Sequence, residues 1–378
     1  MKHERKTFLH FGRHLAALGF LILNFSVGWA AELPDLQKPP ANLAAAAAAA
    51  RQLSPLLPPD ADRDTWQAHR AELQRAWTQF LGRLPQTKCP LDVQFEAVET
   101  LPAITRQRLT FQVEPGVRTD AMLLAPRERS AARLPGLVLF HPTYTNHYRR
   151  AVGLEGLDEP ERHQAVQWAE RGYIVLAPRC YLWAEPPPGS VARASGSYVA
   201  NVNRELERHP DWKGITRMLW DGIRALDVME TLPGVDRERL GVFGHSLGAK
   251  EVLYVAAFDS RVRCTVSSEG GIGMKQSNWH DVWYLGPEIQ QPGFPREHHE
   301  LLALIAPRPF LLLAGGASDN DASWAFIQAA LPVYRLLGAP QNLGWFHHGL
   351  GHRYGAQART VAEDFMDAHL KRTPSTTR

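Results

Sequence analysis

The sequence predicts an α/β protein with a mostly parallel central sheet, an antiparallel N-terminal edge and helices on both faces. Three observations carry that expectation. First, short apolar runs at Leu137–Phe140, Tyr173–Pro178, Leu240–Gly244, Val262–Ser267, Phe310–Ala314 and Leu343–Phe346 alternate with helix-length segments near 160–171, 216–231, 248–258, 322–337 and 357–370. Strands that are apolar along their whole length are buried on both faces, as in a parallel sheet between two helix layers. Second, Leu109, Phe111 and Val113 alternate with Arg108, Thr110 and Gln112 ahead of Gly116 and the run Ala121–Leu124. That period of two followed by a turn residue marks an antiparallel hairpin. Third, 378 residues with 44% hydrophobic and 21% charged side chains have the composition of a globular chain with a large core.

From the N-terminus, Lys2, Arg5, Lys6 and Arg13 against Glu4 give residues 1–14 a charge of 4 − 1 = +3, which equals the net charge of the whole chain. The remainder is balanced, so there is no net basic field to attract nucleic acid or an anionic membrane. Seventeen uncharged residues follow, Leu15 to Ala31, with Gly28-Trp29-Ala30 placing small residues at −3 and −1 of a cleavage after Ala30. Residues 1–30 therefore read as a signal peptide, predicting a secreted or periplasmic protein with no stable membrane insertion after cleavage.

Residues 31–59, Ala- and Pro-rich with an unbroken Ala44–Ala50 run, read as a leader or short helix outside the core. Residues 60–378 read as one α/β domain with an N-terminal helical extension over 60–85. In that extension Trp66, Leu73, Trp77, Phe80, Leu81 and Leu84 recur near helical spacing, ahead of Pro85 and Pro90. Segments 182–214 and 270–300 exceed ordinary connection length and are rich in Trp, Tyr, Pro and Gly. Long loops on such a scaffold are where a substrate is read. Their aromatics (Trp183, Tyr198, Trp212, Trp279, Trp283, Tyr284) suit stacking on a sugar ring and plain packing equally. Cys89, Cys180 and Cys264 are odd in number and match no metal spacing. No sequence feature specifies an oligomeric state.

Chemistry enters at Gly244-His245-Ser246-Leu247-Gly248, a G-x-S-x-G between the strand-like Leu240–Phe243 and the helical Ala249–Ala257. On such a turn the Ser246 hydroxyl stands clear of the sheet at a helix N-terminus, where unpaired N–H groups favour developing negative charge. Serine needs a base. After the last strand-like run come His347, His348 and His352. His352, in Gly349-Leu350-Gly351-His352, is the expected base, with His348 second. The i, i+4 spacing of His348 and His352 does not signal zinc, because the intervening glycines oppose a helix and no HExxH glutamate is present. Asp319, the first acid after Phe310–Ala314, is the expected partner of the histidine. Asp321 fits a helix cap, and Glu269, just past Val262–Ser267, competes with Asp319. The two oxyanion donors are expected to be the N–H groups of Leu247 and of Thr143, in His141-Pro142-Thr143-Tyr144.

With these residues in place, the chain resembles the α/β-hydrolase superfamily over roughly residues 105–372. Leu139-Phe140-His141-Pro142-Thr143, residues 169–179, Gly241-Val242-Phe243-Gly244-His245-Ser246-Leu247-Gly248 and Ala306-Pro307-Arg308-Pro309 look like the branch of dienelactone-hydrolase-like proteins and acetyl xylan esterases. That resemblance implies the triad Ser246, Asp319 and His352. Other residues are similar to glucuronoyl esterases, which cleave uronate esters of plant cell-wall polysaccharide. Lys250 stands four residues after the serine, Glu269 follows the next strand, and Leu302–Arg308 also looks similar. That second resemblance implies Glu269 as the acid, whereas if Asp319 is the acid, Glu269 and Lys250 become substrate contacts. Read structurally instead, Lys250 is a surface helix lysine and Glu269 a fold-supporting carboxylate.

The expectation is an exported serine hydrolase that cleaves a carboxylic ester of a carbohydrate or other small molecule, with no cofactor and no metal. Two other readings stand beside it. A peptidase of the prolyl-oligopeptidase type shares the catalytic domain, but about 100 residues before the hairpin cannot build that family's propeller. A non-catalytic binder on the same fold would need neither serine nor histidine.

Overall fold

The structure, a computed structural model, describes residues 33–128, 132–143, 145–183 and 198–371. The expected signal segment, 1–30, lies outside the described residues, as does part of the 182–214 loop. Among the described residues no helix is long and apolar enough to cross a membrane.

Helix α1 (Leu43–Ala50) opens the fold, capped by Asn42, whose side chain accepts from the Ala45 N–H at 3.2 Å. The alanine run was expected outside the core. Of that run only Ala46 is buried; it and the following Leu56 join the main hydrophobic cluster, while most of the helix faces solvent. The methyl side chains let α1 pack closely on the turn Asp321–Ser323 and the helix that follows it. Helix α2 (Arg63–Leu81) is capped by Asp62 and buries Trp66, Leu73, Trp77 and Leu81, one face of a 3.6-residue period. It ends at Gly82, with φ +87°, three residues before the proline expected to stop it.

Strands β1 (Gln94–Thr100), β2 (Ile104–Glu114) and β3 (Val117–Pro126) are antiparallel, and the predicted alternation places Leu109, Phe111 and Val113 in the core. Strand β1, exposed along its length, carries no hydrophobic pattern by which sequence could reveal it. There follow β4 (Leu134–Phe140), α3 (Thr145–Ala151), α4 (Gln164–Glu170), β5 (Ile174–Pro178), α5 (Tyr198–Arg208), α6 (Gly214–Thr231), β6 (Val235–His245) and α7 (Leu247–Phe258). The chain then forms β7 (Val262–Ser268), α8 (His299–Ile305), β8 (Phe310–Ala314), α9 (Trp324–Leu336), β9 (Leu343–His347) and α10 (Ala356–Leu370).

Among the described residues the strands form one nine-stranded sheet in the order β1-β2-β3-β5-β4-β6-β7-β8-β9, parallel from β5 to β9. Alternate residues of each inner strand enter opposite layers. Val138, Phe140 and Leu312 join the cluster that also takes in α2, α6, α7, α8 and α9. Leu137, Leu139, Leu311 and Leu313 join the one built with α3, α4 and α10. The helices α3, α5 and α8 were not expected: each lies in a short or long connection without a sustained apolar period. The carboxyl ends of the parallel strands all open on one side of the sheet, where side chains of adjacent connections meet.

Candidate active site

Ser246 stands between β6 and α7 with φ 59° and ψ −115°, a conformation that L-residues avoid and that a sharp strand-to-helix turn imposes. Its N–H donates to Ser268 O at 2.8 Å, tying the turn to β7. Both motif glycines are required by close approach. A Cβ on Gly244 would lie 2.1 Å from Gly248 O, and one on Gly248 would lie 2.0 Å from Phe140 O. Because α7 begins at Leu247, that residue's N–H is among the first four of the helix, which have no intrahelical acceptor.

His352 arrives from the loop after β9. Gly351 N donates to Gly315 O at 2.8 Å, and Gly349 and Gly351 take φ of +69° and +66°, which reverse the chain. The imidazole Nε2 lies 2.8 Å from Ser246 Oγ. The alternative base, His348, is turned toward its own loop, its Nδ1 accepting from Leu350 N at 3.3 Å. His347 faces Asp321 at 3.8 Å.

The acid expected at His352 was Asp319; the structure puts Glu269 there instead. Glu269, fully buried at the end of β7 with φ +56°, brings Oε2 to 3.2 Å from His352 Nδ1. Its carboxylate also accepts from Ser318 N at 2.8 Å and from Gly315 N. Asp319 turns away because Gly316 N bonds to Asp319 O at 2.8 Å and folds the loop back. Its carboxylate accepts instead from Gly271 N (2.8 Å), Ile272 N (2.7 Å) and Ser323 Oγ (3.0 Å). Burial, aided by the nearby charge of Glu269, pushes Asp319 up to about 6 against those donors. The helix-cap role weighed for Asp321 falls to Asn320, whose Oδ1 accepts from Ala322 N at 3.0 Å.

Thr143, Ser246 and His352 line one cavity of about 660 Å³, together with Asn278, Gln164 and the arginines 150, 162 and 353. A larger open groove of about 1650 Å³ runs between α2, Trp212 and Arg296, away from the serine. The loop that carries Thr143 is tied to Cys180 by His141, whose Nε2 accepts from Cys180 N at 3.0 Å. Burial pushes this ring down to about 4, which keeps it neutral. His245, on the cavity wall beside the serine, is likewise pushed down to about 3 by burial, and its Nδ1 lies 3.0 Å from Ser268 Oγ.

Lys250 is neither a surface lysine nor among the residues lining the cavity. It is buried, with Nζ 3.9 Å from the centre of the Trp279 ring and no hydrogen-bond partner among the described residues. Burial pushes it down to about 7, opposed by the charges of Asp319 and Asp281. The aromatics of the long loops pack on one another: Trp183 on Tyr198, Tyr198 on Trp283, and Trp279 and Trp283 on Tyr284. Trp212 stacks on His209 instead. All three cysteines are free thiols, and Cys264 is fully buried. Sequence reasoning missed Ser318, Ser277, Asn278 and His141. Only the proximity of Ser318 to Asp319 in the β8 loop offered any signal for the first.

Residues 67–269, more than half of the chain, match the family model described as acetyl xylan esterase (AXE1). The chain belongs to the acetyl xylan esterase family. Consistent with membership, it is 31% identical over 257 residues to YtaP of Bacillus subtilis (strain 168), covering 65% of this chain and 80% of that one. It is also similar to 4-O-methyl-glucuronoyl methylesterase 1 of Sodiomyces alcalophilus, 29% identical over 167 residues, 36% of this chain. The match spans only 33% of that relative's length. Among solved structures, a glucuronoyl esterase from Solibacter usitatus superposes with a TM-score of 0.64 at 18% identity over 82% of this chain and 94% of that one. A glucuronoyl esterase from Teredinibacter turnerae T7901 gives 0.63 at 22% identity, over 85% and 90%. At such identities the likeness establishes the shared α/β-hydrolase fold of this family member.

Proposed function

We propose that the protein is a serine esterase that cleaves a carbohydrate ester through Ser246, His352 and Glu269. The observation that carries this reading is the 2.8 Å approach of His352 Nε2 to Ser246 Oγ, with Glu269 on the other ring nitrogen. His352 takes the hydroxyl proton as Ser246 Oγ attacks the ester carbonyl. The resulting oxyanion accepts from the N–H groups of Leu247, at the start of α7, and of Thr143. The C–O bond to the alcohol breaks, and the alcohol leaves with the proton held by His352. Water, activated by the same imidazole, then cleaves the acyl-enzyme. Glu269 fixes the ring with Nδ1 protonated and stabilises its transient positive charge.

Two ester classes are at issue, sugar acetates and uronate esters. The acid following β7 rather than β8, together with relatives named glucuronoyl methylesterases, favours uronate esters. The serine–histidine contact speaks against a non-catalytic binder. Residues 60–378 act in this proposal as one catalytic domain with its helical extension, exported by residues 1–30. Turnover of methyl glucuronate, acetylated xylo-oligosaccharide and a prolyl peptide, assayed side by side, tests the reading. Methyl glucuronate is expected to give the highest kcat/KM. Cleavage of the peptide alone would refute an esterase.

A further inference from the structure

Resting on the serine reading above, we propose that His352 is held by a second arm besides Glu269: Ser318, backed by Ser277, Asn278 and Asp281. Ser318 is a positioning residue in this arrangement, and the arm ties the 270–300 loop to the base.

The imidazole needs more than one anchor. His352 sits in a loop that reverses at two glycines, its side chain is 44% exposed, and Glu269 fixes only one hydrogen-bond direction. Ser318 touches both partners. Its N–H donates to Glu269 Oε2 at 2.8 Å, and its Oγ lies 3.3 Å from His352 Nδ1. The Nδ1 proton is therefore shared between a carboxylate at 3.2 Å and a hydroxyl at 3.3 Å.

From Ser318 every donor finds an acceptor in one direction. Ser318 Oγ donates to Ser277 Oγ at 3.3 Å, and Ser277 Oγ donates to Asn278 Oδ1 at 3.3 Å. The Asn278 amide then donates to Asp281 Oδ2 at 2.9 Å. The chain of dipoles runs from the base to a carboxylate, the polarity that stabilises positive charge on the ring during attack. Distances of 3.3 Å are long for hydroxyls, and such contacts tighten when the transition state forms.

Backbone strain marks the same residues. Among the described residues four non-glycines have positive φ: Asp92, Ser246, Glu269 and Ser277. The last three are the nucleophile, the acid and the middle of this arm. Ser277, at φ +52°, is pressed against Gly271, where a Cβ would meet its own Cβ at 2.7 Å. Strained conformations persist only where surrounding contacts over-determine them, and they cluster where geometry serves chemistry. Asn278 also lines the cavity, so substrate seated there presses on the arm.

The test compares wild type with Ser318→Ala, Ser318→Thr and Ser277→Ala. Readouts are p-nitrophenyl acetate kinetics across pH, the rate of fluorophosphonate labelling at Ser246, and thermal melting. Ser318→Ala is expected to lower kcat about tenfold with KM unchanged, the worth of one hydrogen bond at about 1.4 kcal/mol. The acid limb of its kcat/KM profile should move to lower pH, because the imidazolium loses a stabilising dipole. Ser318→Thr, which keeps the hydroxyl, should restore both, and Ser277→Ala should show a smaller change of the same kind. A wild-type kcat and profile in Ser318→Ala overturns the arm. So does a fall in activity that follows melting alone with the profile unmoved. Wild type that fails to label at Ser246 sinks the serine reading itself, whereas equal labelling of wild type and Ser318→Ala sinks only the arm.

Discussion

Glu269 Oε2 lies 3.2 Å from His352 Nδ1, at the end of the strand next to the one that leads into Ser246. Asp319, one connection later, faces the Gly271–Ile272 turn instead. The two acids therefore have separable effects. Glu269→Gln should lower kcat/KM for p-nitrophenyl acetate by about 10²–10⁴-fold, beside a stability cost of about 1–3 kcal/mol from turning an amide N–H toward the Gly315 or Ser318 N–H. Asp319→Asn removes one acceptor from three buried donors and should cost about 1–3 kcal/mol in chemical denaturation. Its kcat should fall far less than that of Glu269→Gln.

Gly315 is the contact between the loop after β8, from which its N–H donates to Glu269, and the loop that carries His352. A Cβ there would lie 1.8 Å from Gly351 O. Gly315→Ala should displace His352 by a fraction of an ångström or more and lower kcat about 10²-fold. The circular dichroism spectrum should be unchanged, since the sheet beneath is untouched.

Lys250 gives a pH signature. Its folded-state value, about 7, lies below the ordinary 10.5 because the amine is buried. Between those values the unfolded chain holds a proton that the folded chain does not, so this group's contribution to stability rises with pH through that window. The contribution is complete above 10.5 and is lost as pH falls through 7. Lys250→Met removes the amine from beneath Trp279. Relative to this variant, wild type should gain melting temperature from pH 7 to pH 10, and the variant should be the more stable near pH 6. Parallel melting curves check this.

Trp77 joins α2 to the domain. Its indole N–H donates to buried Glu300 Oε2 at 2.7 Å. Trp77→Phe keeps an aromatic side chain but removes the donor and part of the buried indole volume, so a loss of about 1–3 kcal/mol or more in urea unfolding is expected, in a single transition. A separate early transition would mark α2 as an independent appendage.

The strands that carry the site were legible because each is buried on both faces. Six apolar runs matched β4 to β9, and the G-x-S-x-G fell on the turn foreseen for it. His352 followed from chain order and its flanking glycines. The carboxylate beside its ring did not, because Glu269 and Asp319 both follow strand ends. The backbone bond from Gly316 to Asp319 that turns the latter away leaves no trace in composition. Lys250 was misjudged for a related reason. A charged residue in a helix reads as solvent-facing until two aromatic rings from a loop thirty residues away are placed over it. The alanine run, too weakly patterned to show a face, forms a largely exposed helix that seats Ala46 alone, where α9 lies against it.

The most direct measurement is mass-spectrometric mapping of the adduct formed when the folded protein reacts with a fluorophosphonate. A single adduct on the peptide bearing Ser246, absent in Ser246→Ala, is the predicted result. Unmodified protein, or an adduct on another serine that persists in Ser246→Ala, would contradict it.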